Sequence, residues 1–418
     1  MALPADPQRQ PRRRPFAPFR VAVLSLAGAL TSSLVGCTAT PPPEASRSAL
    51  PAQNIRGGTS ATTPLPPSAP ILLGQSAPLS GPSGTLGREF ASGAQSLFRK
   101  VNASGGIHGR SIRLIQLDDR YEPALTQANA TRLIEQDRVF ALFGTVGTPT
   151  TKTVLPLLKQ RGVPLVAPVT GAALLRKPGN NRVFHLRASY AEEAEHIVDF
   201  LAQAGWTRIA LVTQNDAFGE DVRRSLLASL KRRGITPVTS TTVQRNSDQT
   251  GAQADLVASK RPDAVVAIST YGTVASLVRE LNRRQSHPQV MTVSFVGTGG
   301  LLQALPNGKA NGIGVTQVVP FPWDGRIPVV RDYQRAMRQD APDARFSHLS
   351  LEGYIAAQVV VEALRRAGPQ LSRARFEQAM ESMNPYDLGG FEVRFSPRSR
   401  SAGRFVDLTF LGAHAWEP

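Results

Sequence analysis

From residue 70 onward, apolar residues recur in two alternating patterns. Short apolar runs typical of buried strands are followed by longer segments in which apolar positions repeat with the period of a helix. The first series predicts strands at 71–74, 111–117, 139–143 and 163–166, with helices at 88–102, 124–137 and 148–160 between them. Strands that alternate with helices of this length predict a parallel sheet built from right-handed βαβ units.

A second series begins near Val183. Ser189 and Glu192 form a capping box that predicts a helix start, and strands are predicted at 209–212, 263–268 and 293–297, with helices at 218–232 and 274–284. After residue 320 the pattern predicts helices at 329–339, 350–366 and 373–383, then short strands at 391–395 and 405–410. The predicted fold class is α/β, with two Rossmann-like, doubly wound lobes whose facing strand ends form a cleft.

The first 36 residues have the layout of an export signal. Arginines between residues 9 and 20 precede an apolar stretch at 21–34, which is too short to span a bilayer comfortably. Leu34-Val35-Gly36-Cys37 follows and resembles a bacterial lipobox, in which the cysteine is diacylated. We therefore predict a lipoprotein signal peptide at 1–36 and lipidation at Cys37. An ordinary signal peptide with an incidental cysteine is the alternative, and a twin-arginine signal fits less well.

Residues 37–69 are predicted to be a tether. Seven of the residues from 38 to 69 are proline, and Ser, Thr and Ala fill most of the remainder. Such a segment buries too little apolar surface to offset its conformational entropy. A lipid anchor followed by an extended spacer predicts a body in the periplasm, or outside a Gram-positive membrane.

Composition excludes several classes of protein. The chain has 48 Lys and Arg residues against 31 Asp and Glu residues, but the arginines are spread along its length and no nucleic-acid-binding motif occurs. A nucleic-acid partner is therefore not expected. One cysteine and six scattered histidines argue against a disulfide framework and against a metal site.

Polar loops follow the predicted strands, where a doubly wound sheet binds ligands. Thr148-Pro149 reads as the start of a helix, and Thr170-Gly171 follows the fourth strand. Hydroxyls and free amides there would suit a carboxylate, although a plain cap and a plain turn are equally consistent. In the second series Asp216 is either a helix cap or a ligand contact. Tyr271 either covers a ligand or is a buried structural tyrosine.

Catalytic patterns are weak. Ser80, His185 and Asp216 are of the types found in a triad, but no serine lies in a nucleophile elbow. Asp118-Asp119 ends a strand without a third ligand at metal spacing. The sequence predicts neither an enzyme nor a cofactor.

Several motifs together resemble the type I periplasmic solute-binding proteins, specifically the branched-chain amino acid (Leu/Ile/Val-binding) group. The resemblance covers residues 70 to about 411. The motifs, in order, are Pro78-Leu79-Ser80-Gly81-Pro82, NASGGIHGR at 102–110, Asp118-Asp119, Arg161-Gly162-Val163-Pro164, Asp216-Ala217-Phe218-Gly219 and Arg261-Pro262-Asp263-Ala264-Val265.

The resemblance implies the type I periplasmic binding protein fold, with two lobes joined by a three-strand hinge. The first lobe would comprise 70–187 plus 319–384, and the second 188–318 plus 385–418, with crossings near 186–188, 318–320 and 384–388. Ligand binding would close the cleft, and the closed form would be recognised by an ABC permease with its ATPase. The resemblance also implies a monomeric body that is a binding protein and not an enzyme.

Family ligand contacts fall on seven residues, and we add Asp216 and Thr298 as neighbours. The seven are Leu86, Thr148, Val169, Thr170, Gly171, Phe218 and Tyr271. One departure concerns Gly299, which stands where amino-acid binders of this group have a carboxylate for the ligand ammonium. A buried ammonium without an acid is costly. Two alternatives follow: Asp216 replaces that acid, or the ligand is an amine-free acid or another small polar metabolite.

Three functions remain open on the sequence alone. The first is a lipid-anchored importer subunit that captures an amino acid or related carboxylate. The second is a ligand sensor that presents its closed state to a regulator, and the third is a structural lipoprotein. The sequence shows no output module for a sensor, which favours transport. Thr38 after the cysteine favours the outer membrane where sorting follows that position.

Overall fold

A computed structural model describes residues 69–340 and 342–412 of the chain. The predicted signal peptide, Cys37 and nearly all of the predicted tether lie outside the described residues. The part that is described folds into two α/β lobes, each built around one sheet.

The first lobe contains a five-stranded parallel sheet in the order β2-β1-β3-β4-β5. Its strands are β1 (Ile71–Ala77), β2 (Ile112–Asp118), β3 (Ala141–Phe143), β4 (Leu165–Val166) and β5 (Val183–Phe184). The connecting helices are α1 (Gly84–Ala103), α2 (Pro123–Glu135) and α3 (Thr148–Arg161). Because strand order steps outward on both sides of β1, the sheet is doubly wound, as predicted.

The second lobe contains a six-stranded sheet in the order β13-β10-β9-β8-β6-β7, in which β13 is Asp407–Phe410. Its elements are α4 (Tyr190–Gln203), β6 (Ile209–Gln214), α5 (Ala217–Arg232), β7 (Thr239–Val243), α6 (Gly251–Lys260), β8 (Ala264–Ile268), α7 (Tyr271–Arg283), β9 (Gln289–Thr292), α8 (Thr298–Ala304) and β10 (Gly314–Gln317). The first five strands in sequence are parallel, and the last strand of the chain pairs antiparallel with β10.

The chain then returns to the first lobe. The remaining elements are α9 (Pro328–Asp340), α10 (His348–Ala367), α11 (Arg373–Glu381), β11 (Tyr386–Asp387), β12 (Glu392–Val393) and β13 (Asp407–Phe410). Helices α9 and α10 pack on α1. The Phe395 ring lies 5.6 Å from that of Phe184, and Ser401 pairs with His185. The final passage to the second lobe thus lies after Ser401, later than residues 384–388, where the resemblance placed it.

Two local predictions have clear outcomes. The capping box of α4 is confirmed, since Ser189 Oγ accepts from the Glu192 amide (3.2 Å) and the Glu192 carboxylate accepts from the Ser189 amide (2.7 Å). The strand predicted at 293–297 is wrong. Strand β9 ends at Thr292, and Ser294–Val296 forms a 3₁₀ helix that closes at Gly297 with φ 77°.

A buried ion pair fixes the first passage between the lobes. Arg187 donates from Nε and Nη2 to the two carboxylate oxygens of Glu352 on α10, at 2.9 and 2.8 Å. Only 1% and 6% of the two side chains are exposed. Buried, bidentate geometry of this kind is strong once formed, but removing one partner leaves an uncompensated charge. The pair therefore ties the crossing segment to the first lobe.

Glycines allow α1 and α10 to approach at backbone distance. A Cβ on Gly93 would overlap the carbonyl of Ser350, and a Cβ on Gly353 would overlap the carbonyl of Phe90. Neither neighbour is a flexible side chain that could move aside. The two helices are therefore packed as closely as the chain permits, and the position of α1 is set by α10.

Gly353→Ala should destabilise the protein by about 1 to 3 kcal/mol, because the added methyl group has no space against the Phe90 carbonyl. The unfolding midpoint in urea measures this. Gly251→Ala is the matched control, since its nearest non-neighbouring atom would be 3.7 Å from the new Cβ. Equal stability of the two variants would contradict the close packing of α1 on α10.

Arg187→Met should cost about 3 to 5 kcal/mol of unfolding free energy, because Glu352 is left buried and unpaired. The double variant Arg187→Met with Glu352→Leu should recover much of that loss in the same urea measurement. Arg326→Met removes an exposed arginine paired with Asp324 and serves as the control. Its urea midpoint should match that of wild type, because exposed ion pairs contribute little. A double variant no more stable than the single one would show that the ion pair is not the cause.

Candidate ligand-binding site

The loops that follow the strands of the two sheets meet along the boundary between the lobes. Hydrogen bonds cross this boundary from Ser83 Oγ to Asn246 Oδ1 (2.8 Å), from Tyr271 OH to Thr85 Oγ1 (3.3 Å) and from Gln214 Nε2 to Tyr121 OH (3.2 Å). One continuous cluster of buried apolar residues also extends across it. The site is therefore formed by both lobes, at the carboxyl ends of their strands.

Two buried hydroxyls lie together on the first-lobe side. Thr148 Oγ1 and Thr170 Oγ1 are 2.7 Å apart, and both residues are fully buried. The expected cap at Thr148 is corrected, because Gly147 holds the N-cap position of α3 and Thr148 begins the helix without a side-chain cap bond. Its hydroxyl is thus directed at Thr170 and not at its own helix.

The main chain around Thr170 is largely occupied by internal bonds. The Val169 amide donates to Thr145 O (2.8 Å), and its carbonyl accepts from the Gly147 amide (3.1 Å). Gly171 O accepts from the Tyr190 amide at 3.0 Å, and a Cβ on Gly171 would crowd that residue. Val169 and Gly171 therefore shape the loop, while Thr170 contributes a hydroxyl.

Aromatic rings form a wall next to these hydroxyls. The centroid of the Phe218 ring lies 4.7 Å from that of Phe295 and 5.2 Å from that of Tyr190. The ring centroid of Tyr121 in the first lobe lies 5.8 Å from that of Phe295 in the second. All four residues are fully buried. Burial raises the pKa of the Tyr190 hydroxyl, with a smaller opposing effect from Arg187, so the hydroxyl stays protonated. Within the described residues, this hydroxyl has no hydrogen-bond partner.

Asp216 is used as a helix cap. One carboxylate oxygen accepts from the Phe218 amide at 2.9 Å and lies 3.4 Å from the Gly219 amide. The other accepts from Gln214 Nε2 at 2.7 Å and lies 3.4 Å from Arg245. Both oxygens are already paired, so the hypothesis that Asp216 replaces the acid missing at Gly299 gains no support.

Arg245 joins the lobes at the edge of the site. Its guanidinium is 2.8 Å from Glu122 of the first lobe and lies over the Tyr121 ring, 5.8 Å from the centroid. Asn246 adds a bond from Nδ2 to the Glu122 carboxylate at 3.0 Å. These contacts form a polar rim outside the aromatic wall.

Leu86 of the first lobe contacts the second lobe, and Tyr271 of the second lobe contacts the first. Leu86 is 1% exposed, and its side chain occupies the space where a Cβ on Gly297 would be. Tyr271 begins α7, and its ring fits against Gly300, where a Cβ would come within 2.5 Å. Thr298 lies between these glycines, and its hydroxyl accepts from Gln317 Nε2 at 3.1 Å.

A carboxylate from the first lobe lies against Gly299. Glu89, one turn after Leu86 on α1, has an oxygen in the space that a Cβ on Gly299 would take. Burial raises the pKa of Glu89 to about 7, while a hydrogen bond from Ser347 and the charge of Arg88 act in the opposite direction. The sequence did not single out this residue.

The residues considered for catalysis or metal binding have other partners in the structure. Ser80 bonds Asp118, and His185 Nε2 lies 3.3 Å from Leu175 O, so the three triad-type residues have separate partners. Asp119 accepts from Ser76 at 2.8 Å and from the Tyr121 amide at 2.9 Å. Among residues 69–340 and 342–412, no group of three His, Cys, Asp or Glu residues is placed to hold a metal ion.

Among the same residues, no helix has the length and apolar character required to cross a membrane.

Of the nine predicted contacts, the structure groups Thr148, Thr170 and Phe218 most closely, through the hydroxyl pair and the Tyr190 ring. Three aromatic residues of the site were missed: Tyr121, Tyr190 and Phe295. Tyr190 directly follows the capping serine of α4, and Tyr121 follows the end of β2. Their positions next to a hinge and a strand end were the sequence features that could have indicated them as site residues. Phe295 lay inside a segment predicted to be a strand.

Sequence comparisons place the chain among known proteins. A family model described as periplasmic binding protein matches residues 70–409. A Leu/Ile/Val-binding protein homolog 3 of Brucella melitensis is 25% identical over 325 residues, which are 76% of this chain and 85% of that protein. An amino acid binding protein of Pseudomonas aeruginosa is 22% identical over 238 residues, 56% of this chain and 62% of that protein, which is less than two thirds of its length.

A solved structure gives the same result. A possible leucine/isoleucine/valine-binding protein from Rhodopirellula baltica SH 1 shares 35% identity with this chain, with a TM-score of 0.80. The match covers 85% of this chain and 97% of that one. The fold predicted from the sequence is confirmed, and the chain belongs to the type I periplasmic binding proteins, in the branched-chain amino acid binding family.

Proposed function

We propose that this chain is the extracytoplasmic solute-binding protein of an ABC importer. It captures a small polar solute, an amino acid or a related carboxylate, between its two lobes and delivers it to the permease. The observation that supports this most directly is the buried group formed by Thr148, Thr170 and Tyr190 beside an aromatic wall. A binding site of this kind has a mainly apolar lining with a few convergent polar groups.

The hydroxyls of this group suit a carboxylate. One of the two threonine hydroxyls donates to the other, so one hydroxyl hydrogen of the pair stays available, and Thr170 Oγ1 also accepts from the Ala172 amide at 3.3 Å. The Tyr190 hydroxyl is without a partner among the described residues. A bound carboxylate would accept from the available threonine hydroxyl and from Tyr190, and hydrogen bonds to a charged group contribute about 1.5 to 3 kcal/mol each. The apolar part of the solute would pack against Phe218 and Phe295.

The closed arrangement of the two lobes would be stabilised by contacts that form only when the lobes meet. The rim bonds of Arg245 and Asn246 to Glu122, and the contact of Leu86 with Gly297, all join one lobe to the other. They are lost when the lobes separate. A solute that touches both lobes binds the closed form better and shifts the population toward it. The permease would then recognise the closed form.

The predicted lipid anchor at Cys37 fits this role. An anchored binding protein with a Pro-rich spacer stays close to its membrane while its body reaches the permease. The signal peptide, the lipidation and the ABC partners remain predictions from the sequence and the family.

A structural role is the second candidate, and one observation favours it. The rings of Tyr121 and Phe295 touch across the boundary, so part of the cleft is filled by the protein's own side chains. A lipoprotein that used this fold only to bind a partner would need no space for a solute. The ligand-sensor role shares the binding step and differs only in the partner.

Thr170→Val should lower the affinity of the full-length chain for its acid ligand about tenfold or more, because one donor to the carboxylate is lost. Thermal unfolding is measured first for wild type against amino acids, aromatic acids and dicarboxylates. A solute at about 100 times its Kd stabilises the native state by about 2.7 kcal/mol. Isothermal titration of the solutes that raise Tm then gives the affinities.

Thr153→Val is the matched control, since this threonine lies on α3 with Thr148 but its hydroxyl donates to Gln127 Oε1 at 3.4 Å. Its affinities should equal those of wild type. If no acid in the panel raises Tm, the solute-binding proposal fails and the structural role is favoured. If both threonine variants bind as wild type does, the hydroxyl group is not the carboxylate site.

A further inference from the structure

Glu89 occupies an unusual position at the boundary between the lobes. It lies three residues after Leu86 on α1, so the two side chains share one face of the helix. That face meets the second lobe at two glycines, Gly297 opposite Leu86 and Gly299 opposite Glu89. The missing side chains of these glycines provide the space that Leu86 and Glu89 fill.

One oxygen of the Glu89 carboxylate lacks a donor, while Ser347 donates a hydrogen bond to this side chain. Its Oε2 atom is enclosed, and it has no hydrogen-bond partner within the described residues. An unpartnered carboxylate in a poorly solvated position is costly, and it becomes favourable only when a proton or a cationic donor joins it. Natural structures rarely retain such a group without a use for it.

Among the described residues, no cation forms an ion pair with Glu89, and the charge of Arg88 lowers its pKa without a direct bond. Arg88 on α1 is exposed and donates to Leu79 O and Thr85. Helix α8 has no titratable side chain, and Tyr333 on α9 is 2.5 Å from Ser350. At the start of α10, Ser347 is neutral and burial lowers the pKa of His348 to about 3. A cationic partner that replaces the proton on Glu89 would therefore come from outside these elements.

We propose that Glu89 accepts a hydrogen bond from a cationic N–H group of the bound solute and so determines which solutes are bound. This inference rests on the proposed function. The carboxylate of the solute would be held by Thr148 and Thr170, and its ammonium by Glu89, so both charged ends would bind the first lobe. The second lobe would supply Phe218, Phe295 and Gly299 as it closes over them.

The raised pKa agrees with this geometry. Burial favours the protonated form of Glu89 up to about pH 7, and an ammonium partner requires the ionised form. Affinity for an amine-bearing solute should therefore rise as the pH increases from 6 to 8. An amine-free acid should show no such rise.

The test compares solute pairs that differ only in the amine, with the full-length chain. The pairs are L-leucine and 4-methylpentanoate, L-phenylalanine and 3-phenylpropanoate, and L-glutamate and glutarate. For the pair that binds, wild type should prefer the amine-bearing member at least tenfold at pH 8. Glu89→Gln should lose at least tenfold in affinity for that member, keep its affinity for the amine-free one, and lose the pH dependence.

Glu122→Gln is the control for closure, because Glu122 also lies at the boundary and pairs with Arg245. Weaker closure lowers affinity for both members of a pair by the same factor and leaves their ratio unchanged. Should Glu89→Gln fail to fold by circular dichroism, Glu89→Asp replaces it. The shortened acid should reduce the preference for the amine by at least threefold.

The outcomes separate the two proposals. If one pair binds but its two members have equal affinity in wild type, the inference about Glu89 fails and the proposed function stands. The inference about Glu89 also fails if wild type and Glu89→Gln have the same ratio of affinities for the amine-bearing and amine-free members. If no member of any pair binds, the proposed function fails, and the role of Glu89 fails with it.

Discussion

The close approach of α1 and α10 is the constraint on which the site depends. At Gly93 and Gly353 the two helices meet backbone to backbone, with no side chain between them. The position of helix α1 relative to the rest of the first lobe is therefore fixed. Its N-terminal turns extend toward the second lobe, and their distance from that lobe is set by the contact with α10. Thr85, Leu86 and Glu89 all reach the boundary from those turns. A looser helix pair would leave each of these contacts undefined.

The boundary between the lobes combines apolar contact with many weak polar bonds. Bonds such as Ser83 to Asn246 and Arg245 to Glu122 are partly exposed, and each contributes about 1 kcal/mol or less. Under the proposed function, bonds this weak would let a small solute shift the lobes toward closure, since differential binding of a few kcal/mol changes populations more than tenfold. A boundary held by a buried pair like Arg187 and Glu352 would not open.

Sequence reasoning found most of the fold because parallel strands and amphipathic helices have strong, regular patterns. It missed β7, α6, α8 and β10. Strand β7 (Thr239–Val243) lies at a sheet edge and is rich in threonine, so its apolar signal is weak. Helix α8 begins Thr-Gly-Gly, which has low helix propensity. Tertiary packing determines both.

The site was predictable to the extent that it lies in loops after strands. Thr148, Thr170 and Phe218 were found in this way. Glu89 was not, because it lies inside a helix at a position that a pattern assigns to solvent, and it is covered only by the start of α10 and by the second lobe. Tyr121 adopts a left-handed backbone with φ 63°, a conformation that a sequence pattern does not indicate for tyrosine.

The three passages of the chain between the lobes have a mechanical consequence. They lie after β5, after β10 and after Ser401, and β13 then joins the edge of the second sheet. Three separate backbone links resist twisting and sliding more than they resist bending. In the proposed closing motion, these links would leave the lobes close to a single direction of movement, and each closure would return Leu86 to Gly297 and Glu89 to Gly299 in the same alignment. A partner that contacts the outer surface of both lobes would then distinguish the open from the closed form by the single angle between them.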